Sequence, residues 1–84
     1  MFHRIKSVVP IQGLKLLIEF QDDTKKIYDV NPLLKKWPAF QVLTHIPKLF
    51  EQVRVDAGGC AVIWNDDIDL SCDELYYNSR PIKL

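Results

Sequence analysis

Leu14, Leu16, Ile18 and Phe20 recur at every second position against Lys15, Leu17 and Glu19, and this period of two predicts a half-buried strand. The polar stretch Gln21-Asp22-Asp23-Thr24 has the length of a hairpin loop, and Lys25 to Val30 returns as a further strand. Phe2 to Ile11 reads as a less regular first strand. Ile5 and Val9 are expected on one face, Arg4 and Lys6 on the other. The alternation weakens at Val8-Val9, Pro10 marks an edge or an end, and Gln12-Gly13 is the turn into the next strand.

The period then changes. Asn31-Pro32 is a helix-start pair in which Asn31 can cap and Pro32 is pre-set for the first helical position. Trp37 precedes Pro38 and is pushed toward extended geometry, so that helix is short. Phe40 to Leu43 predicts another helical turn. Pro47 opens a third, with Ile46, Leu49, Phe50 and Val53 as its apolar stripe. Trp37, Phe40 and Phe50 are most simply core residues of this helical insert.

Alternation resumes at Val53 and Val55 against Arg54 and Asp56, and Gly58-Gly59 is a hairpin turn signal. Cys60, Val62 and Trp64 are expected on one face of the next strand with Ala61 and Ile63 on the other. A strand apolar on both faces belongs at the centre of a sheet or under cover on both sides. Asn65-Asp66 supply a tight turn, and Ile68 and Leu70 alternate with Asp67 and Asp69. Ser71 with Glu74 three residues later then forms a capping box at a helix start. Leu70 and Leu75 are placed as its hydrophobic staple. Pro81 stops any helical continuation, leaving Ile82 to Leu84 as a tail. Three strands, a helical insert, two or three strands and a short capped helix make an α+β fold of antiparallel β-hairpins, a single domain over residues 1–84.

Size and charge narrow the function. A chain of 84 residues buries roughly 60–65% of its unfolded surface, so a partner or self-association would usefully add to its core. Eleven basic and eleven acidic residues cancel, whereas nucleic-acid binding draws most of its affinity from a net basic face. The apolar runs fall far short of the about 18 residues of a transmembrane helix. No secretory signal is visible, so the expected compartment is the cytoplasm, where Cys60 and Cys72 stay reduced. Cys60 is expected to be a buried thiol and Cys72 to lie in the first turn of the capped helix.

The candidate chemistry is sparse. A calcium loop starting at Asn65 places Asp67, Asp69, Ser71 and Asp73 at ligand offsets, but Leu70 takes the glycine position and Tyr76 the bidentate-glutamate position. A strand with its aspartates facing water explains the same letters. His3 and His45 have no second histidine nearby, and Cys60 and Cys72 are too far apart for a zinc knuckle. Ser7, Ser71 and Ser79 lack a nucleophile elbow, and Gly58-Gly59 lacks the residues that complete a phosphate loop. No catalytic, cofactor-binding or metal-binding residue is assigned. Tyr76 and Tyr77 are adjacent and cannot both face inward from one helix, and Leu17 sits on the otherwise polar face of its strand. Leu17, Tyr76 and Tyr77 are therefore the candidate interaction surface.

Six blocks carry a resemblance. They are Leu14 to Phe20, Tyr28-Asp29-Val30-Asn31-Pro32-Leu33-Leu34, Phe40 to Leu43, Leu49 to Asp56, Trp64 to Leu70, and Glu74-Leu75-Tyr76. In this order the chain resembles the small bacterial family known as domain of unknown function 2442, over nearly its whole length. Asp23 departs from it, standing in a hairpin turn where glycine is usual, which bears on the turn type and not on the fold. The resemblance implies no catalytic residues. It implies similarity to the N-terminal domain of transcription regulators that add a helix-turn-helix, an extension this chain does not carry past Leu84, so no direct nucleic-acid binding is expected. It also implies a toxin–antitoxin-like pairing with another small protein.

Two functions follow as expectations. One is a non-catalytic protein-interaction module, binding a small protein partner or itself as the antitoxin-like member of a pair. The other is a small-ligand sensor or regulatory module of a transcription regulator, with a pocket near Trp37, Trp64 and Tyr28. No cofactor is expected for either.

Overall fold

The computed structural model describes residues 3–82. Phe2 of the expected first strand and residues 83–84 of the expected tail lie outside the described residues. The fold is α+β, as the alternation predicts. Strands β1 (Ile5–Ile11), β2 (Lys15–Phe20) and β3 (Lys25–Asp29) form consecutive antiparallel hairpins. The insert follows as α1 (Asn31–Lys36), a 3₁₀ turn (Pro38–Gln41), α2 (Val42–His45) and a second 3₁₀ turn (Phe50–Gln52). Strands β4 (Arg54–Val55), β5 (Ala61–Asn65) and β6 (Ile68–Ser71) lead into α3 (Cys72–Asn78) and β7 (Arg80–Pro81). Two sheets result, ordered β1-β2-β3-β7 and β4-β5-β6. The doubly apolar β5 is central in the smaller sheet, as expected.

Strand β7 is an unexpected addition, and Ile82, the described residue of the expected tail, continues its pairing. Arg80 and Pro81 pair with Ile27 and Lys26, and the Ile82 amide donates to the Lys25 carbonyl at 3.2 Å. A two-residue strand containing proline gives no periodic signal, and proline is tolerated there because the strand is an edge.

The core is continuous. Leu16, Ile18, Phe20 and Tyr28 from the large sheet meet Val62, Trp64, Ile68 and Leu70 from the small one, with Leu33, Phe40, Leu43 and Phe50 from the insert. Trp64 is 2% exposed, its ring 6.1 Å from Phe40 and 6.0 Å from Phe50, and its Nε1 donates to the Phe50 carbonyl at 3.1 Å. The indole thus satisfies its one donor while binding the insert to β5.

Several expected positions change for local reasons. Ile5 pairs with Phe20 but Ser7 with Glu19, so Lys6 is an extra residue and the strand's faces exchange there. Ile5 is buried as expected, whereas Val9 is turned outward and 48% exposed, and Val8 packs on the core instead. Leu14 belongs to the turn, not to the strand, with φ 57° beside Gly13 at φ 82°. Asn31 does not cap α1; it is the first helical residue, and its amide N–H and side-chain Nδ2 both donate to Asp29 Oδ1, at 3.0 and 2.8 Å. The Asn31 side-chain bond holds the Asp29 carboxyl below its ordinary value. The tight turn before β6 falls at Asp66-Asp67, one residue later than expected, with Asn65 paired to Ile68.

Cys60 is exposed, because it lies in the turn before β5 rather than in the strand. That turn is fixed by Gly59, whose carbonyl accepts from the Ile5 amide at 2.8 Å. A Cβ on Gly59 would stand 2.7 Å from the Ile5 carbonyl oxygen, so only glycine lets the two sheets join here. Trp37 and Ile46 also leave the predicted core, at 39% and 51% exposure. Trp37 is held extended before Pro38 (φ −129°, ψ 108°), which leaves its ring at the edge of the core, 5.7 Å from Phe40 and 4.9 Å from Lys36 Nζ. Ile46 ends α2 in extended geometry before the Pro47-Lys48 turn, which breaks the stripe drawn through it.

The capped helix forms as predicted, with one change. Ser71 Oγ accepts from the Glu74 amide at 3.1 Å. The Glu74 carboxylate does not complete the reciprocal half of the box, because it accepts from the Tyr28 hydroxyl at 2.9 Å. Leu70 and Leu75, the staple pair, are both buried.

Candidate interaction surfaces

The large sheet has two unlike faces. Leu16, Ile18, Phe20 and Tyr28 turn into the core, so the alternate residues of β2 and β3 must turn out. Strand pairing then places Val9 beside Leu17, Leu17 beside Ile27, and Ile27 beside Arg80. Three aliphatic side chains therefore stand in one row across three strands, on the side away from the core, and end at a guanidinium. None of the three belongs to the core or packs against it.

Charged residues border the row in a definite pattern. One step along the strands, Glu19 of β2 lies opposite Lys25 of β3; one step the other way, Lys15 lies opposite Asp29. Lys6, at the bulge, reaches Glu19 at 3.8 Å and Asp23 at 3.7 Å. These pairs are solvated, and such surface contacts contribute little to stability. Their arrangement on the face is the informative feature.

Tyr76 and Tyr77 form a second, separate surface. The Tyr76 ring packs edge-on against Phe20 at 5.0 Å and stacks on His3 at 3.6 Å. Lys26 Nζ lies 3.8 Å above the same ring and donates to the Tyr76 carbonyl at 2.8 Å. Tyr77 is 69% exposed, with its hydroxyl hydrogen-bonded to His3 Nε2 at 3.1 Å. Phe20 and Lys26 point to the inner side of the sheet, whereas Leu17 points outward. The three candidate residues therefore do not converge: Leu17 belongs to the aliphatic row and the tyrosines to the corner where α3 meets β2 and β3.

Val9 and Ile27 were not among the candidates. Ile27 was legible, since a hairpin closing at Gln21–Thr24 with Tyr28 turned inward puts Ile27 outward beside Leu17. Val9 was hidden by the bulge at Lys6, which nothing in the alternation announces.

Tyr28 and Glu74 are the closest approach to a reactive pair. Burial, with the Glu74 carboxylate beside it, pushes the Tyr28 phenol above its ordinary value. A neutral phenol donating to a carboxylate is a latch between β3 and α3. Among the described residues no three His, Cys, Asp or Glu side chains gather as metal ligands would, and Asp67 and Asp69 face solvent.

The expected ligand pocket is not formed by its three residues. Trp64 and Tyr28 are buried by the core, and Trp37 stands outside it. An open depression of about 450 Å³ lies elsewhere, between the β1–β2 turn and the insert, lined by Gly13, Leu14, Leu43, Lys48 and Phe50. Among the described residues no helix is long and apolar enough to cross a membrane. Comparison with curated proteins and with solved structures gave no match. The model of one family, described as "Protein of unknown function (DUF2442)", matches residues 5–81, and the chain belongs to that family.

Proposed function

We propose that this chain is a non-catalytic protein-interaction module, working as the antitoxin-like half of a small bacterial protein pair, with the outer face of the large sheet as its docking surface. One observation carries the reading: Val9, Leu17 and Ile27 stand side by side across three strands on the side away from the core, and none of them packs against it. Antiparallel sheets tolerate one wet face, but that face normally alternates to polar residues. Here polar residues surround an apolar row, the anatomy of a protein contact with a charged rim.

Charge balance supports a protein partner over nucleic acid, since the chain carries no net positive charge. The test is affinity capture of the tagged chain and of Leu17→Glu from the native cell, with both proteins shown to be folded by circular dichroism. A stoichiometric protein, the chain itself or another, is expected with the parent and lost with Leu17→Glu. Capture of a small molecule alone, or a protein retained equally by Leu17→Glu, overturns the reading.

A further inference from the structure

We infer that the outer face of the large sheet binds a second copy of this chain, through a two-fold axis that runs along the Val9–Leu17–Ile27 row. The inference rests on the docking surface proposed above and names its occupant from the order of charges on it. In face-to-face packing of identical sheets the two-fold axis lies in the plane between them, and each surface must complement itself.

The charges select the axis. An axis parallel to the strands and over β2 sets Glu19 against Glu19 and Lys15 against Lys15. An axis along the row, across the strands, keeps each strand over its own copy and reverses its direction. Glu19 then lies over Lys15 of the copy, and Lys25 over Asp29, each contact occurring twice. The same operation lays Val9, Leu17 and Ile27 on themselves, joining the two aliphatic rows into one strip. Ser7 meets Ile11 at one side; at the other, Arg80, which ends the row, meets its own copy at the solvated rim, with Asp29 near enough to each guanidinium to offset part of that repulsion. The four charged positions of β2 and β3 around the apolar centre are thus self-complementary under this axis, with Arg80 against Arg80 as the opposing contact at the rim.

The size of the face sets the strength. Three strands about 4.8 Å apart and five or so residues at about 3.4 Å each cover an area well below the roughly 800 Å² per partner of a standard interface. The dimer is therefore a dissociable one, populated at micromolar concentrations and above, and weakened by salt because its rim pairs are exposed.

Charge reversal separates this from every other use of the face. Lys15→Glu and Glu19→Lys each put like charges together at two points of the homodimer, so each variant alone is expected to sediment as a monomer where the parent is a dimer. Mixing the two variants restores opposite charges at both points, and a heterodimer is expected to reappear with an affinity within about tenfold of the parent. Thermal melts of both variants establish that they are folded. Single variants that dimerise as the parent does, or a mixture that stays monomeric, overturn the axis. A parent that is monomeric at millimolar concentration overturns the self-association. If that monomer still captures a different protein and loses it on Leu17→Glu, the docking surface stands and only its occupant is wrong.

Discussion

The large sheet and the helical insert are stabilised in opposite ways. In the sheet, backbone pairing fixes the geometry: β1, β2 and β3 are joined in antiparallel register, shifted once at Lys6, and the side chains follow from it. In residues 31–53 the backbone does little. The insert holds two short helices and two 3₁₀ turns, none with a side-chain cap, and helices of this length do not persist alone. It is held by what it buries: Phe40, Leu43 and Phe50 close around Trp64. A register-held sheet can leave one face uncovered and stay formed, which frees Val9, Leu17 and Ile27 for a partner. An insert held by contacts cannot lose its contact centre.

The largest effect therefore belongs to Trp64. Trp64→Ala removes the ring between Phe40 and Phe50 and takes the indole donor from the Phe50 carbonyl, leaving it the Val53 amide at 3.4 Å, at an expected cost of about 3–5 kcal/mol. For a domain of this size that approaches the whole stability. Hydrogen exchange on a sample held folded at low temperature sharpens the contrast: amides of residues 31–53 are expected to lose protection first, while β2 amides stay protected. Uniform loss across both regions would show that the sheet leans on the insert as much as the insert on Trp64.

A middle effect is expected where α3 docks on the sheet. Ser71→Ala removes the acceptor of the Glu74 amide and should cost about 0.5–2 kcal/mol by urea denaturation. The Glu74 side chain is already bonded to Tyr28, so this loss is expected to leave the β3–α3 latch in place. An undiminished midpoint for Ser71→Ala would show that the cap contributes nothing beyond the latch.

The same contrast explains what the sequence could show. Alternation in Leu16, Ile18 and Phe20 made β2 legible because a strand's faces depend only on parity. The Ser71 cap was legible because it is local, and so were the tight glycines at Gly58-Gly59. Parity fails wherever one residue is inserted, and the bulge at Lys6 was enough to send Val9 outward against expectation. Burial in the insert was less legible, because Trp37 and Ile46 differ from Phe40 and Leu43 only in how short turns aim them. Strand β7 is fixed by its partner β3 and not by its own letters. For the candidate surface, Leu17 was readable as an apolar residue on a polar face, whereas the row it joins needed the register of three strands. Tyr76 and Tyr77 were readable as one buried and one exposed, but not as distant from Leu17, since helix and sheet meet only in three dimensions.

The smallest effect is expected in the hairpin turn between β2 and β3, where the Asp23 amide donates to the Phe20 carbonyl and the Thr24 amide to Asp22 Oδ1, each at 2.9 Å. Asp23 has φ 69°, a region that favours glycine, and it is the position at which family members are expected to carry one. Asp23→Gly relieves the strain of a left-handed Asp, which is milder than for most residues because a short polar side chain tolerates that region. Against this, glycine adds unfolded-state entropy of about 0.4–1 kcal/mol, and the solvated contact of Asp23 with Lys6 is lost, worth about 0–1 kcal/mol. The terms nearly cancel, and the urea midpoint is expected to shift by no more than about 0.5 kcal/mol equivalent in either direction. Asp23→Val separates the backbone from the side chain. A β-branched residue cannot hold φ 69° without strain, so it should cost about 1–2 kcal/mol although it touches no core atom. If Asp23→Val were as harmless as Asp23→Gly, the turn would be free to change type, and the register that aligns Leu17 with Ile27 would rest on packing after all.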